Sequence, residues 1–345
     1  MEEAGINTVW SNDISPKKYK MYANNYGERH GHEYHVGDLS AVRVDDLPCN
    51  VHVAWASFPC TDLSLAGSRA GIHKGKASST YWHFIKLLSR MGSDRPPIIA
   101  LENVSAFATS NGGRDIRAAI RSLNGLGYWV DVVSLDAKNF LPQSRPRIFI
   151  IASQKHLGDS VADSHLRPSW VEDILDDDEL RTHRLQLPTL PRSRGVSLID
   201  FLENMDNGDD RWWSPSRAND FMSSLTPLQQ ERLDKITQSP TLTARTAFRR
   251  MRNGVPRWEI RRDELAGCLR TSSGGSSKQA VVIAGGGARW VRWMTPKEYA
   301  ILMGAPEYRL SGMSDHAIYS GFGDGVCVPV VSWLAENYFR VALGV

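Results

Sequence analysis

From the amino terminus to about residue 153, short apolar runs alternate with stretches whose apolar residues recur every three or four positions. A short run of β-branched and aromatic residues fits a buried strand, and a spacing of three and four fits a helix with one face on a core. The pattern predicts strands at Thr8-Val9-Trp10, Val51 to Ser57, Ile98 to Leu101, Trp129 to Leu135 and Arg147 to Ala152. Between them it predicts helices over Lys17 to Asn25, Tyr81 to Met91 and Arg114 to Leu126. Alternation of this kind is how βαβ units around a parallel sheet read, so an open α/β sheet is expected. Ligands of such sheets bind beyond the carboxyl ends of the strands, where loops converge on a rigid frame. Those ends carry Asp13, Cys60 and Glu102, two acids and a thiol.

From about residue 154 to 290 the periodicity gives way to Pro, Ser, Arg and Gly, with glycine clusters at Gly274-Gly275 and Gly285 to Gly287. Such a composition predicts a smaller domain of loops and short strands. Thr295-Pro296 then has the form of a helix start, with Glu298 in the first turn and a stop near Gly304. Val328 to Leu343 reads as a closing helix. Three segments result: 1–153, 154–290 and 291–345.

Composition excludes several classes. At 345 residues, 41% hydrophobic and 23% charged, the chain can bury a sizeable core. No run approaches the ~18 consecutive apolar residues of a membrane span, and no secretory pattern opens the sequence. A cytoplasmic protein with no membrane partner is expected. The four cysteines, Cys49, Cys60, Cys268 and Cys327, lie far apart without metal-ligand spacing, so neither a metal nor a disulfide framework is expected. A net charge of +3 does not identify a nucleic-acid partner. Charge is unevenly spread, however: Glu172 to Glu179 is acidic and Arg245 to Arg262 rich in arginine, which predicts a basic face in the second half.

Pro59 removes a backbone donor and disfavours helix at Phe58, so the strand ending at Ser57 should stop abruptly and present Cys60 from a turn. Taken alone, Cys60 reads rather as a small buried hydrophobe, which is what most free cysteines are. Two further segments change the balance: Glu102-Asn103-Val104 follows the strand Ile98 to Leu101, and Gln143-Ser144-Arg145-Pro146-Arg147 leads into another. In order and spacing the three resemble the Pro-Cys, Glu-Asn-Val and Gln-x-Arg-x-Arg motifs of the C5-cytosine DNA methyltransferases. Ser11-Asn12-Asp13, Gly37-Asp38-Leu39, Arg292 to Glu298 and Gly323-Asp324-Gly325-Val326 resemble further motifs of that family, so the likeness covers nearly the whole chain.

The resemblance implies a Rossmann-like, S-adenosylmethionine-dependent methyltransferase sheet with a second, smaller target-recognition domain. It implies Cys60 as nucleophile toward C6 of cytosine and Glu102 at the N3 edge of the ring. Arg145 is expected to meet the base at O2, and Arg147 to brace the loop by pairing with acids. A cofactor site is implied at Asp13, Ile14, Asp38, Leu39, Pro59, Tyr81, Asp324, Gly325 and Val326. The partner implied is double-stranded DNA, held by Ser64 and Arg69 of the glycine-containing loop Thr61 to Lys76. Arg245, Arg249, Arg250 and Arg252 of the second domain are expected to add phosphate or base-edge contacts. Because C6 is unreachable in a stacked duplex, the base must be flipped out. The expected setting is a monomer in the bacterial cytoplasm or nucleoid, with a cognate restriction endonuclease if it belongs to a restriction system.

Three departures from the family pattern stand out. Met1-Glu2-Glu3-Ala4-Gly5 resembles the end of the helix that follows the family's opening strand and Asp-x-Phe-x-Gly-x-Gly turn, so the sheet is expected to lack that strand and part of its cofactor floor. Thr61 stands for the usual Gln, and Asp324 for the usual Asn. Two other readings remain: a tRNA methyltransferase of the same chemistry, and a truncated relative that binds DNA without catalysis. A Rossmann dehydrogenase is disfavoured, since no Gly-x-Gly-x-x-Gly follows the first strand.

Overall fold

The chain opens with two parallel strands, β1 (Trp10–Asp13) and β2 (Glu33–Val36), joined by α1 (Pro16–Tyr26). The computed structural model describes residues 1, 4–27, 31–58, 79–160, 165–191, 196–271 and 278–345. Ser15 caps α1, its hydroxyl accepting from Lys18 N, and Pro16 occupies a first-turn position where its missing N–H costs no hydrogen bond. The first strand begins two residues later than its apolar run, and β2 was not expected at all. Its Glu-Tyr-His-Val sequence offers no apolar run, because its residues are exposed or half-buried.

The main sheet contains β3 (Val53–Ser57), β4 (Ile98–Val104), β5 (Trp129–Asp136) and β6 (Pro146–Ser153), in the order β3-β4-β6-β5. It is flanked by α2 (Ser79–Arg90), α3 (Ala106–Thr109) and α4 (Arg114–Gly125). β3 and β4 are parallel, as expected of a βαβ unit, but β6 runs antiparallel to both β4 and β5. The expected all-parallel sheet is therefore mixed. Only residues 137–145 separate β5 from β6, too few for a crossover, and a short connection makes antiparallel neighbours.

Among the described residues the two sheets do not join. Glu33 N bonds to Val9 O and Gly37 N to Asp13 O, so by strand alternation the main-chain groups of Trp10 and Asn12 point away from β2. Ile98 N likewise bonds to His52 O, so those of Val53, Trp55 and Ser57 point away from β4. Among the described residues no strand pairs with either edge, and both edges border one cavity of about 1730 Å³.

Beyond β6 the chain continues to cover the main sheet. Val171, Ile174 and Leu175 of α5 (Ser169–Leu175) share a core with Val130, Val132 and Ile150. The second domain then forms around α6 (Pro215–Ser223), α7 (Pro227–Thr237), β7 (Thr243–Arg252), β8 (Val255–Ile260), β9 (Ala280–Gly285) and β10 (Ala288–Trp293). Its strands make an antiparallel sheet in the order β10-β9-β7-β8, closed on Phe221, Leu233, Trp258 and Val282. Asn253 and Gly254, at φ of 51° and 77°, make the two-residue turn between β7 and β8, the primed geometry that matches strand twist.

The chain returns to the main core through α8 (Pro296–Leu302), α9 (Asp315–Asp324), α10 (Val328–Leu334) and α11 (Arg340–Leu343). Thr295 and Glu298 form a reciprocal capping box at the start of α8, the start expected from the sequence. The expected closing helix carries a π-helical turn at Ala335–Phe339. Asp315–Leu343 is apolar enough to cross a membrane by length and composition. Ile318, Phe322, Val330, Leu334, Tyr338 and Phe339 in it are nevertheless buried in the core.

Candidate active site

β4 ends in a buried acid. Glu102 is 7% exposed, and its Oε1 lies 2.9 Å from Arg147 Nε. Arg147 stands opposite Val104 in the antiparallel pairing, two residues from Glu102, so the two side chains share one face of the sheet as diagonal neighbours. Asn103 Nδ2 donates to Phe58 O at 3.2 Å and ties the end of β3 to that of β4 just before Pro59. Glu102 and Arg147, distant in sequence, are thereby brought together at the strand end from which the Pro-Cys segment departs.

Arg145 is held by main-chain carbonyls. It is 3% exposed, and its guanidinium donates to Leu269 O at 2.8 Å, Gly323 O at 3.0 Å and Gly325 O at 2.6 Å. Arg145 thus holds the carboxyl end of α9 and the segment at Leu269 in place. Burial and the neighbouring Arg147 lower its pKa. Gln143 works alongside it, donating to Leu302 O at 2.6 Å. Gly323 lies so close to the backbone of Arg270 and Thr271 that a Cβ would collide with it. The backbone at Arg270 and Thr271 thus packs tightly on α9.

Cys268 belongs to this cluster. Arg145 Nη1 and Arg147 Nη2 point at its sulfur from 3.5 and 3.8 Å. Burial would raise its pKa, but the charges of Arg145, Arg147 and Arg270 outweigh burial and lower it. No sequence signal could have found it, because 121 positions separate it from Arg147.

The implied cofactor residues divide into two groups. Asp13, Leu39, Tyr81 and Val326 line the large cavity between the sheets. Asp13 Oδ1 accepts from Ser15 N at 2.8 Å, and its Oδ2 lies 3.3 Å from Lys18 Nζ. Tyr81 is fully buried with its hydroxyl engaged by Ala119 O and Ser122, so it offers the cavity only its ring. Ile14, Asp38, Asp324 and Gly325 do not line the cavity. Ile14 is 67% exposed, Asp38 caps a short helical turn through Ser40 N, and Asp324 pairs with Lys18 at 3.0 Å.

In the second domain Arg245 is turned toward Glu264 at 3.1 Å and is mostly buried. Arg250 and Arg252 are exposed but share Glu259. Arg249 is exposed and enters no ion pair among the described residues. Pro59, Cys60, Thr61, Ser64 and Arg69, with the rest of the loop to Lys76, lie outside the described residues. Among the described residues no cluster of three or more His, Cys, Asp or Glu could hold a metal ion.

An α/β sheet with these strand ends is of the Rossmann-like methyltransferase class. The Schizosaccharomyces pombe Dnmt2 methyltransferase superposes over all of this chain and 94% of its own, with a TM-score of 0.63 at 18% identity. The chain belongs to the C-5 cytosine-specific DNA methylase family, which it matches over residues 1–340. It is 24% identical to the type II methyltransferase M.Bsp6I of Bacillus sp. (strain RFL6), over 99% of this chain and 94% of that protein. It is also 24% identical to M.HpaII of Haemophilus parainfluenzae, over 96% of this chain and 82% of that one. It is thus of the DNA cytosine-5 methyltransferase class of enzymes, whose methyl donor is S-adenosylmethionine.

Proposed function

We propose that this protein methylates C5 of a cytosine flipped out of double-stranded DNA, through a covalent adduct between Cys60 and C6. The observation that carries the reading is the Glu102–Arg147 pair, buried at the strand ends beside the segment leading to Pro59-Cys60. C5 of cytosine is a poor nucleophile. A thiolate adding to C6 moves electron density onto C5, which can then take a methyl group; loss of the C5 proton expels the thiolate and restores the ring. Glu102 supports this step by holding the N3 edge as the ring loses aromaticity. Arg147, rather than Arg145, supplies the positive charge near O2, because the Arg145 guanidinium is engaged by main-chain carbonyls.

The residues present fit S-adenosylmethionine, which supplies an electrophilic methyl group on a sulfonium. Asp13 is a carboxylate on the rim, suited to a ribose diol, and Leu39, Phe58 and Val326 are apolar walls suited to an adenine ring. Trp10, on the same cavity, keeps a buried indole N–H that has no partner among the described residues. The cavity exceeds the ~300–1000 Å³ of ordinary small-molecule sites because it includes the gap between the sheets. In this reading the protein is a monomer of the bacterial cytoplasm, and its type II relatives point to the modification arm of a restriction system.

The test is incubation with labelled S-adenosylmethionine and mixed-sequence DNA. Label should appear as 5-methylcytosine and vanish in Cys60→Ser. Label retained by that variant would refute the role of Cys60. Transfer to tRNA alone would move the substrate, and DNA binding without transfer would leave a non-catalytic relative.

A further inference from the structure

The Lys18 ammonium is forked between two carboxylates, 3.3 Å from Asp13 Oδ2 and 3.0 Å from Asp324 Oδ2. The two acids are therefore no farther apart than the two contact lengths laid end to end. Without the lysine they would face each other as like charges. Asp324 is also the last residue of α9, where the helix dipole is negative and disfavours an anion. A lone exposed ion pair contributes little, but here one cation relieves two separate electrostatic penalties at once.

Helix packing puts Lys18 there. Gly321 of α9 passes so close to Met21 of α1 that a side chain at the glycine would collide with the methionine sulfur. Lys18 lies one turn before Met21, and Asp324 one turn after Gly321. Residues three apart stand on one helix face, so the same antiparallel contact that seats Met21 against the glycine places Lys18 against Asp324. Burial would lower the Lys18 pKa, but Asp324 and Asp13 outweigh it and raise it, so the group is cationic at neutral pH.

The same helix end is also held by a second cation. Arg145, two residues before the Glu102 partner Arg147, donates to Gly323 O and Gly325 O. The turn that leads to Val326 on the cavity wall is thus clamped between Lys18 and Arg145. We propose that Lys18 is a positioning residue for the methyl donor: it neutralises the second acid at the end of α9 and holds the Asp13 carboxylate oriented on the rim of the cavity. This rests on the reading of that cavity as the cofactor site.

Calorimetric titration with S-adenosylhomocysteine, the stable product form of the donor, tests both levels. Lys18→Gln should weaken binding about fivefold, and Lys18→Gln/Asp324→Asn should recover most of that loss, since the repulsion disappears with the second acid. A lysine acting only as a packing element would show no recovery. Binding by Lys18→Gln equal to the parent, or by the double variant no tighter than Lys18→Gln, overturns the role of Lys18 and leaves the cofactor reading standing. Failure of the unmodified protein to bind overturns both.

Discussion

Arg147 Nε and Glu102 Oε1 are 2.9 Å apart on adjacent antiparallel strands, with both side chains largely shielded from water. Shielding makes the pair sensitive to loss of either partner, since the survivor remains a buried, uncompensated charge. Arg147→Ala and Glu102→Gln should each lower kcat by about 10²- to 10⁴-fold, and the double variant should lose less than the product of the two. Multiplicative losses would show that the two groups act independently.

Arg145 should behave differently from Arg147 despite lying two residues away. Arg145→Met removes donors from Leu269 O, Gly323 O and Gly325 O, leaving main-chain carbonyls unsatisfied in the interior. The expected result is a loss of about 3 kcal/mol of stability by denaturant unfolding, together with weaker binding of S-adenosylhomocysteine. Full stability with a purely catalytic defect would return Arg145 to the base.

Arg292 and Glu298 form a second buried pair, at 2.8 and 2.5 Å, where β10 gives way to α8. Glu298 also accepts from Thr295 N in the capping box. Arg292→Met should cost about 3–5 kcal/mol, and adding Glu298→Gln should restore part of it. A smaller effect of Arg292→Met than of an exposed pair such as Lys235–Glu231 would contradict this account.

His183 is fully buried, and burial, helped by the charges of His156 and Arg167, pushes its pKa down from 6.5 to about 4. Between those values the unfolded chain binds a proton that the folded protein does not. His183 therefore contributes stability that is complete above pH ~6.5 and is lost as the pH falls toward 4, up to about 3 kcal/mol. Unfolding free energies measured from pH 7 to 4 should fall less steeply in His183→Gln.

The unpaired edges of β1 and β3 should exchange their amides readily. Hydrogen exchange at Trp10, Asn12, Val53, Trp55 and Ser57 is expected to be faster than at Ile99 to Leu101 of β4, which is bonded on both sides. Equal protection would mean that the gap between the sheets is closed in solution.

The amino-acid order alone specifies the elements whose apolar pattern is complete within a few residues. Ile98 to Leu101 reads as a buried strand because four apolar residues in a row can be covered on both faces, and the Thr295-Pro296-x-Glu298 start reads as a helix because capping is local. It also determined the chemistry class, because Pro59-Cys60, Glu102-Asn103-Val104 and Gln143-x-Arg145-x-Arg147 keep a family's order. β2 escaped, since its residues are only partly buried and carry no apolar signal. Packing settled which arginine meets Glu102 and which is tied to main-chain carbonyls. That outcome depends on carbonyls of Leu269, Gly323 and Gly325, more than a hundred positions away, and motif spacing contains no information about them. The same holds for Cys268 beside the arginines and for Lys18 between its two acids. Each owes its surroundings to helices and strands packing from opposite ends of the chain, and electrostatics over a few ångströms follows distance in space, not distance in sequence.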